Sequence, residues 1–240
     1  MRQRGANFAC MNSESDILHI VVAGGSGSRF GSDLPKQFCD LDGRPVLMET
    51  IDRLRRYGRG GKVVAVINRD MRHLWEEMCR EHGFEIPPMA DGGATRFHSV
   101  RNAIEAFGVG ARWITVHDGA RPNVGEVVIS GVLDALESGA EAAVPAILLT
   151  DSVRMVCAGG GSSAVDRGCL RAVQTPQGFE GELLRRAYSA DYREDFTDDA
   201  SVVEASGASV TLTAGSPYNI KIIHAPDIDV VRLYMKEQRF

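Results

Sequence analysis

Between residues 17 and 149 the apolar positions follow two alternating periods. Residues 17–23 (ILHIVVA), 62–67 (KVVAVI), 112–117 (RWITVH) and 142–149 (AAVPAILL) are short runs, rich in β-branched residues and apolar almost throughout. Each predicts a strand buried on both faces. Segments 45–57, 71–82, 96–107 and 124–137 instead carry apolar residues at helical spacing; in the first, Val46, Leu47, Ile51 and Leu54 share a face. Such strands alternating with amphipathic helices predict parallel βαβ units with both sheet faces covered. Ligands bind beyond the C-terminal ends of strands in sheets of this kind, so the loops there are the ones to inspect.

The pattern changes after residue 150. Strand-like pieces at 152–157 and 170–174 flank Gly159-Gly-Gly-Ser-Ser163, which predicts an antiparallel excursion, an arm, in place of another βαβ unit. Helices at 180–190 and 198–205, strands at 210–212 and 220–223, and a last helix from Pro226 complete the chain. The expected fold is α/β: a Rossmann-like three-layer α/β/α arrangement around a mostly parallel sheet, with a protruding β-arm. With 240 residues and no internal repeat, residues 16–240 are read as one domain, with 151–175 as the arm. Residues 1–15 are basic but lack the apolar stretch of a secretory signal, and are read as a loose leader; Met11 is an alternative start.

Charge and cysteine usage narrow the partners. Lys plus Arg is 27 and Asp plus Glu is 32, a net charge of −5, which offers no general basic face for nucleic acid or an anionic membrane. No apolar run approaches the ~18 residues of a membrane span. The cysteines (Cys10, Cys39, Cys79, Cys157, Cys169) are odd in number and form no CxxC pair. They are read as ordinary buried thiols in a reducing cytoplasm.

The 26 glycines matter through their placement. Ala23-Gly-Gly-Ser-Gly-Ser-Arg29 follows the first strand, and Leu34-Pro35-Lys36-Gln37 comes shortly after. Glycines there let the backbone approach a phosphate and turn N–H groups toward it, and Arg29 and Lys36 add positive charge. A dinucleotide fingerprint fails, because GxGxxG from Gly25 requires glycine where Phe30 stands; the Gly-Lys-Ser/Thr of a Walker loop is absent. The bland alternative is a plain glycine turn with charges facing water.

GGSGSRFGSDLPKQF is similar to the opening signature of the nucleotidyltransferases that make nucleotide sugars. The likeness continues through Asp91-Gly-Gly93 with Arg96 and Ser99, His117-Asp-Gly-Ala-Arg-Pro122, Asp166-Arg167, Gln174-Thr-Pro-Gln177, Thr197-Asp-Asp-Ala-Ser201 and Asn219-Ile-Lys221. In this order the segments resemble the 2-C-methyl-D-erythritol 4-phosphate cytidylyltransferase family of the non-mevalonate isoprenoid pathway. The resemblance implies attack by a sugar-alcohol phosphate on the α-phosphorus of CTP with release of pyrophosphate. The runner-up acceptor is ribitol 5-phosphate or another polyol phosphate.

Residue by residue, the resemblance implies Arg29, Lys36 and Lys221 as the cations that hold the triphosphate and stabilise transferring charge. Ala23, Gly24, Gly25, Gly27, Gly92, Gly93 and Ser99 would bind the nucleotide. Ala94 stands where the family often has Asp, so base choice would rest on backbone groups and Ser99. Asp118 would contact the nucleotide and hold Mg²⁺ or another divalent cation, which favours oxygen ligands bridged to phosphates. Ser152, Arg167, Thr175 and Thr197 would cradle the acceptor phosphate; Arg167 would reach the site of the other subunit in a homodimer joined through the arm. Bland readings stand beside these: Lys221 as a solvent-facing strand lysine, Ser99 as an ordinary helix residue, Arg167 as a surface arginine. Asp118 would then merely cap a turn and Thr197 a helix, and Arg121 orients Asp118, binds phosphate or pairs with a surface acid. His117 is read as structural, because a phosphate monoester is already ionised near neutral pH and needs no general base.

Overall fold

Alternation along the first strand decides the layering. In β1 (Ile17–Ala23), Leu18 and Ile20 enter one hydrophobic core and Ile17 and Val21 the other, so the sheet is covered on both sides. The structure, a computed structural model, describes residues 16–25 and 34–237; the expected leader, Gly27 and Arg29 lie outside the described residues. The remaining strands are β2 (Asp40–Leu41), β3 (Arg44–Pro45), β4 (Lys62–Ile67), β5 (Met89–Asp91), β6 (Trp113–Asp118), β7 (Ala142–Leu148), β8 (Val153–Val156), β9 (Ser162–Val165), β10 (Arg171–Val173), β11 (Gln177–Glu180) and β12 (Val210–Ala214). The helices are α1 (Val46–Tyr57), α2 (Arg72–Glu81), α3 (Arg96–Phe107), α4 (Glu126–Glu137), α5 (Gly181–Tyr188), α6 (Asp199–Glu204) and α7 (Asp227–Glu237).

The main sheet runs β10-β7-β11-β6-β1-β4-β5, with β12 paired to β7. β5, β4, β1 and β6 are parallel neighbours, whereas β11 lies antiparallel between β6 and β7. Helices α3, α5 and α6 pack on one face; α1, α2 and α4 pack on the other. The mostly parallel α/β fold is therefore as the sequence predicts, and the C-terminal ends of β1, β4, β5 and β6 open on one edge.

Three expectations need correction. Residues 220–223 form no strand: their isoleucines resemble a sheet pattern, but Ile222 is buried against Ile228 and Val231 of α7, not in a ladder. β7 is buried only through Pro145, and Leu148 at its end is 65% exposed. Cys79 is buried and Cys39 half-buried, but Cys157 and Cys169 are exposed, because they lie where the chain leaves the main sheet. The excursion itself is the β8–β9 hairpin, antiparallel from Val153↔Val165 to Val156↔Ser162. Its tip uses Gly159, Gly160 and Gly161, with φ of +94°, +100° and +82°, a region side chains rarely occupy.

Candidate active site

A cleft of about 640 Å³ opens at the C-terminal edge, lined by Ala23 at the end of β1 with Gly24 and Gly25 after it, Asn68 after β4, Gly93 to Arg96 after β5, and Asp118 at the end of β6. Lys36, Gln37, Ser99, Lys221 and Ile223 complete it. Glycine is required where the loops meet: a Cβ on Gly24 would lie 3.2 Å from Gly92 Cα, and one on Gly93 would lie 2.4 Å from His98 Cβ. Gln37 fixes the start of the glycine loop from below, its amide donating to Ala23 O at 2.7 Å and Gly25 O at 3.0 Å.

Ser99 sits on the first turn of α3 beneath this floor. Its hydroxyl donates to Thr95 O (3.0 Å) and accepts from Gly93 N–H (2.9 Å). The donor is thereby committed to the helix. Ser99 shapes the Gly93 loop as well as lining the space beside it.

Asp118 is the electrostatic centre. It is buried, and Lys221 Nζ stands at 3.0 Å, Arg121 Nε at 3.2 Å and Arg96 Nε at 3.7 Å. Burial alone would favour the protonated acid, yet the charges of Arg96, Lys221 and Arg121 outweigh it and hold the carboxyl well below the usual range. Arg121 also donates to Asn219 O at 2.8 Å and does not line the cleft.

Behind Asp118 the hydrogen-bond directions follow from chemistry. His117 is fully buried, and burial pushes it down to about 4. Its Nε2 faces Arg121 O at 3.1 Å and must donate to it, so Nδ1 accepts from the Thr175 hydroxyl at 2.9 Å. Thr175 Oγ1 in turn accepts from Asp118 N–H at 3.1 Å. His117 is thus a structural member of the network, as expected.

Sequence reasoning did not single out Arg96 as a site residue, although it lines the cleft. Its two Nη groups grip both oxygens of fully buried Asp199 (2.8 and 2.6 Å), and Tyr188 donates to the same carboxylate at 2.6 Å. The signal was its place three residues after Gly93, at the head of α3. Thr95, Asn68 and Gln37 were likewise not anticipated.

The expected acceptor-binding residues are placed unevenly. Thr175 touches Asp118; Thr197 lies two residues before Asp199 and is exposed; Ser152 and Arg167 are exposed at the arm, Arg167 donating to Thr150 O, and neither lines the cleft. Thr197 is not the helix cap proposed as its bland role: Asp198 caps α6, in a reciprocal pair with Ser201.

Comparison with known proteins gives a consistent likeness. The sequence profile of 2-C-methyl-D-erythritol 4-phosphate cytidylyltransferase matches residues 17–237. The protein of that name from Bacteroides fragilis is 44% identical over 214 residues, 88% of this chain and 95% of the relative. The bifunctional enzyme IspD/IspF of Rhodospirillum rubrum is 37% identical over 215 residues, 89% of this chain and 55% of the relative. Among solved structures, 4-diphosphocytidyl-2C-methyl-D-erythritol synthase from Anaerococcus prevotii superposes with a TM-score of 0.77 at 25% identity, covering 92% of this chain and 98% of that one. The 2-C-methyl-D-erythritol 4-phosphate cytidylyltransferase of Thermus thermophilus gives 0.70 at 28% identity, over 91% and 98%.

Proposed function

The chain belongs to the 2-C-methyl-D-erythritol 4-phosphate cytidylyltransferase family, and from that premise we propose that it transfers the cytidylyl group of CTP to 2-C-methyl-D-erythritol 4-phosphate. The products are 4-diphosphocytidyl-2-C-methyl-D-erythritol and pyrophosphate. The observation that carries this reading is the cleft itself, where Arg96 and Lys221 flank an ionised carboxylate, Asp118, and Lys36 lines the same space. Two anions must meet there, and positioning and charge neutralisation are what such a reaction needs from a protein.

In the reaction a non-bridging oxygen of the acceptor phosphate forms a bond to the α-phosphorus, and the bond from that phosphorus to the bridging oxygen of pyrophosphate breaks. No proton has to move. Gly92, Gly93 and Ser99 give the base its pocket, Gly24 and Gly25 with Lys36 and Lys221 hold the phosphates, and Arg96 and Asp118 keep the charges in register. Arg29 and Gly27, outside the described residues, would serve the same nucleotide in this reading.

A divalent cation fits the donor set. Asp118 is the carboxylate lining the cleft that would hold it, with phosphate oxygens and water in the other positions. Mg²⁺ is bound in this manner, by one or two carboxylates plus substrate phosphates. When bound, it supplies positive charge to the triphosphate. We further propose a homodimer joined through the arm, with Ser152, Arg167 and Thr197 serving the acceptor phosphate, and a cytoplasmic location, the reading that an odd cysteine count with no CxxC pair supports. Among the described residues no helix is long and apolar enough to cross a membrane.

The test is pyrophosphate release from CTP and Mg²⁺ with each acceptor supplied separately. Rapid release with methylerythritol phosphate is expected, together with Mg²⁺-dependent tightening of CTP binding measured by calorimetry. Turnover of ribitol 5-phosphate with none of methylerythritol phosphate would overturn the acceptor assignment.

A further inference from the structure

Lys221 reaches Asp118 from a segment that belongs to no strand. Something other than a β-ladder must therefore hold residues 219–224 in place. Upstream, Asn219 donates to Thr175 O at 2.8 Å while its own carbonyl accepts from Arg121. In the middle, Ile222 N–H donates to Ala120 O at 2.9 Å and its side chain is buried against α7. Downstream, one oxygen of Asp227, Oδ2, accepts from the backbone N–H of both Ile223 and His224, each at 2.7 Å.

The downstream clasp differs from the others in kind. It is charged, it closes on two consecutive amides, and it comes from the first turn of α7, an element anchored in the core by Ile228, Val231 and Met235. Hydrogen bonds to an ionised acceptor are roughly twice as strong as neutral ones. Ile223, whose amide is held, itself lines the cleft, two residues beyond Lys221. Partial burial opposes ionisation of Asp227, but the two amide donors, and after them the charges of His224 and Lys36, keep its carboxyl below the ordinary value.

We propose that Asp227 is a positioning residue for nucleotidyl transfer: by clasping the amides of Ile223 and His224 it holds Lys221 Nζ at Asp118, 3.0 Å away, where the triphosphate must be met. Asp227 does not itself line the cleft and acts through Lys221. This deepens the proposed function and rests on CTP being the nucleotide.

A double-mutant cycle in the full chain tests it, read first on CTP binding by calorimetry and then on turnover. Asp227→Ala should weaken CTP binding about tenfold in the wild-type background and by less than about twofold in the Lys221→Ala background, since coupled residues do not add. Asp227→Asn, which keeps an acceptor oxygen, should recover most of the loss. Should Asp227→Ala not fold, Asp227→Leu, of similar size and without an acceptor, is read by the same rule. Equal losses in both backgrounds, or unchanged CTP binding without the acceptor oxygen, would overturn the role. CTP binding by the wild type without turnover of methylerythritol phosphate would instead count against the acceptor assignment and leave the cycle decisive; no CTP binding at all would overturn both.

Discussion

Arg96 is a charge whose direction is set from outside the cleft. Both of its terminal nitrogens are engaged by Asp199, and only Nε is left toward Asp118, 3.7 Å away. Asp199 is wholly buried and shares its oxygen Oδ1 with the Tyr188 hydroxyl, so the guanidinium is held in one plane. Replacing Asp199 by Asn would turn an amide N–H₂ toward donors and leave half-buried Arg96 with Asp118, 3.7 Å away, as its remaining counter-charge. Losing one side of such a pair costs about 1–3 kcal/mol. Asp199→Asn should therefore lower the urea midpoint by that equivalent and reduce pyrophosphate release together; normal stability in the variant would show that the pair is dispensable. A fork that spans 103 positions of sequence leaves no periodic trace, so this contact was not legible in the chain even though Arg96 itself was visible beside the glycines.

At the scale of elements, the floor of the cleft depends on three loops in backbone contact. A Cβ at Gly93 would lie 2.4 Å from His98 Cβ and 2.8 Å from His98 backbone carbon, both in the first turn of α3, which cannot retreat without unwinding. Overpacking of this kind costs roughly 1–3 kcal/mol. Relief comes most cheaply by lifting the loop, so Gly93→Ala should weaken CTP binding at least tenfold with little change in thermal midpoint; calorimetry and a melting curve check the two halves. These loops were legible because strand ends follow directly from strands. β1, β4 and α3 fall on the predicted residues, since a strand buried on both faces and a helix with one apolar stripe leave strong, regular patterns. β11 was not legible: Gln-Gly-Phe-Glu is too short and polar to read as a strand. It is one because its backbone fills the gap between β6 and β7, with Gly178 passing where a Cβ would come within 2.5 Å of Val132. The reverse error at 220–223 has the same origin, since isoleucines buried by a helix and isoleucines buried by a sheet look alike over four residues.

For the molecule as a whole, two buried histidines tie the layers together and set its response to acid. His19 on β1 accepts from the Thr115 hydroxyl on β6 at 2.7 Å and donates to Gly58 O, after α1, at 2.9 Å. His117 repeats the arrangement with Thr175 and the Arg121 carbonyl. Burial is the largest cause that brings each down to about 4, from an ordinary value of 6.5. An unfolded chain therefore takes up protons in this interval that the folded chain refuses. Stability then rises with pH, so it must fall as pH drops from about 6.5 to about 4, by up to about 2.7 kcal/mol per unit for two such groups. Asp118 acts with the same sign but lower on the scale: its depressed carboxyl contributes stability that is fully present above the unfolded value near 3.8 and is lost only as pH falls beyond it. Denaturant midpoints measured from pH 7 to pH 4 should show this first decline, and His19→Gln, which can still bridge Thr115 and Gly58 without titrating, should roughly halve its slope. An unchanged slope in that variant would place the proton uptake elsewhere.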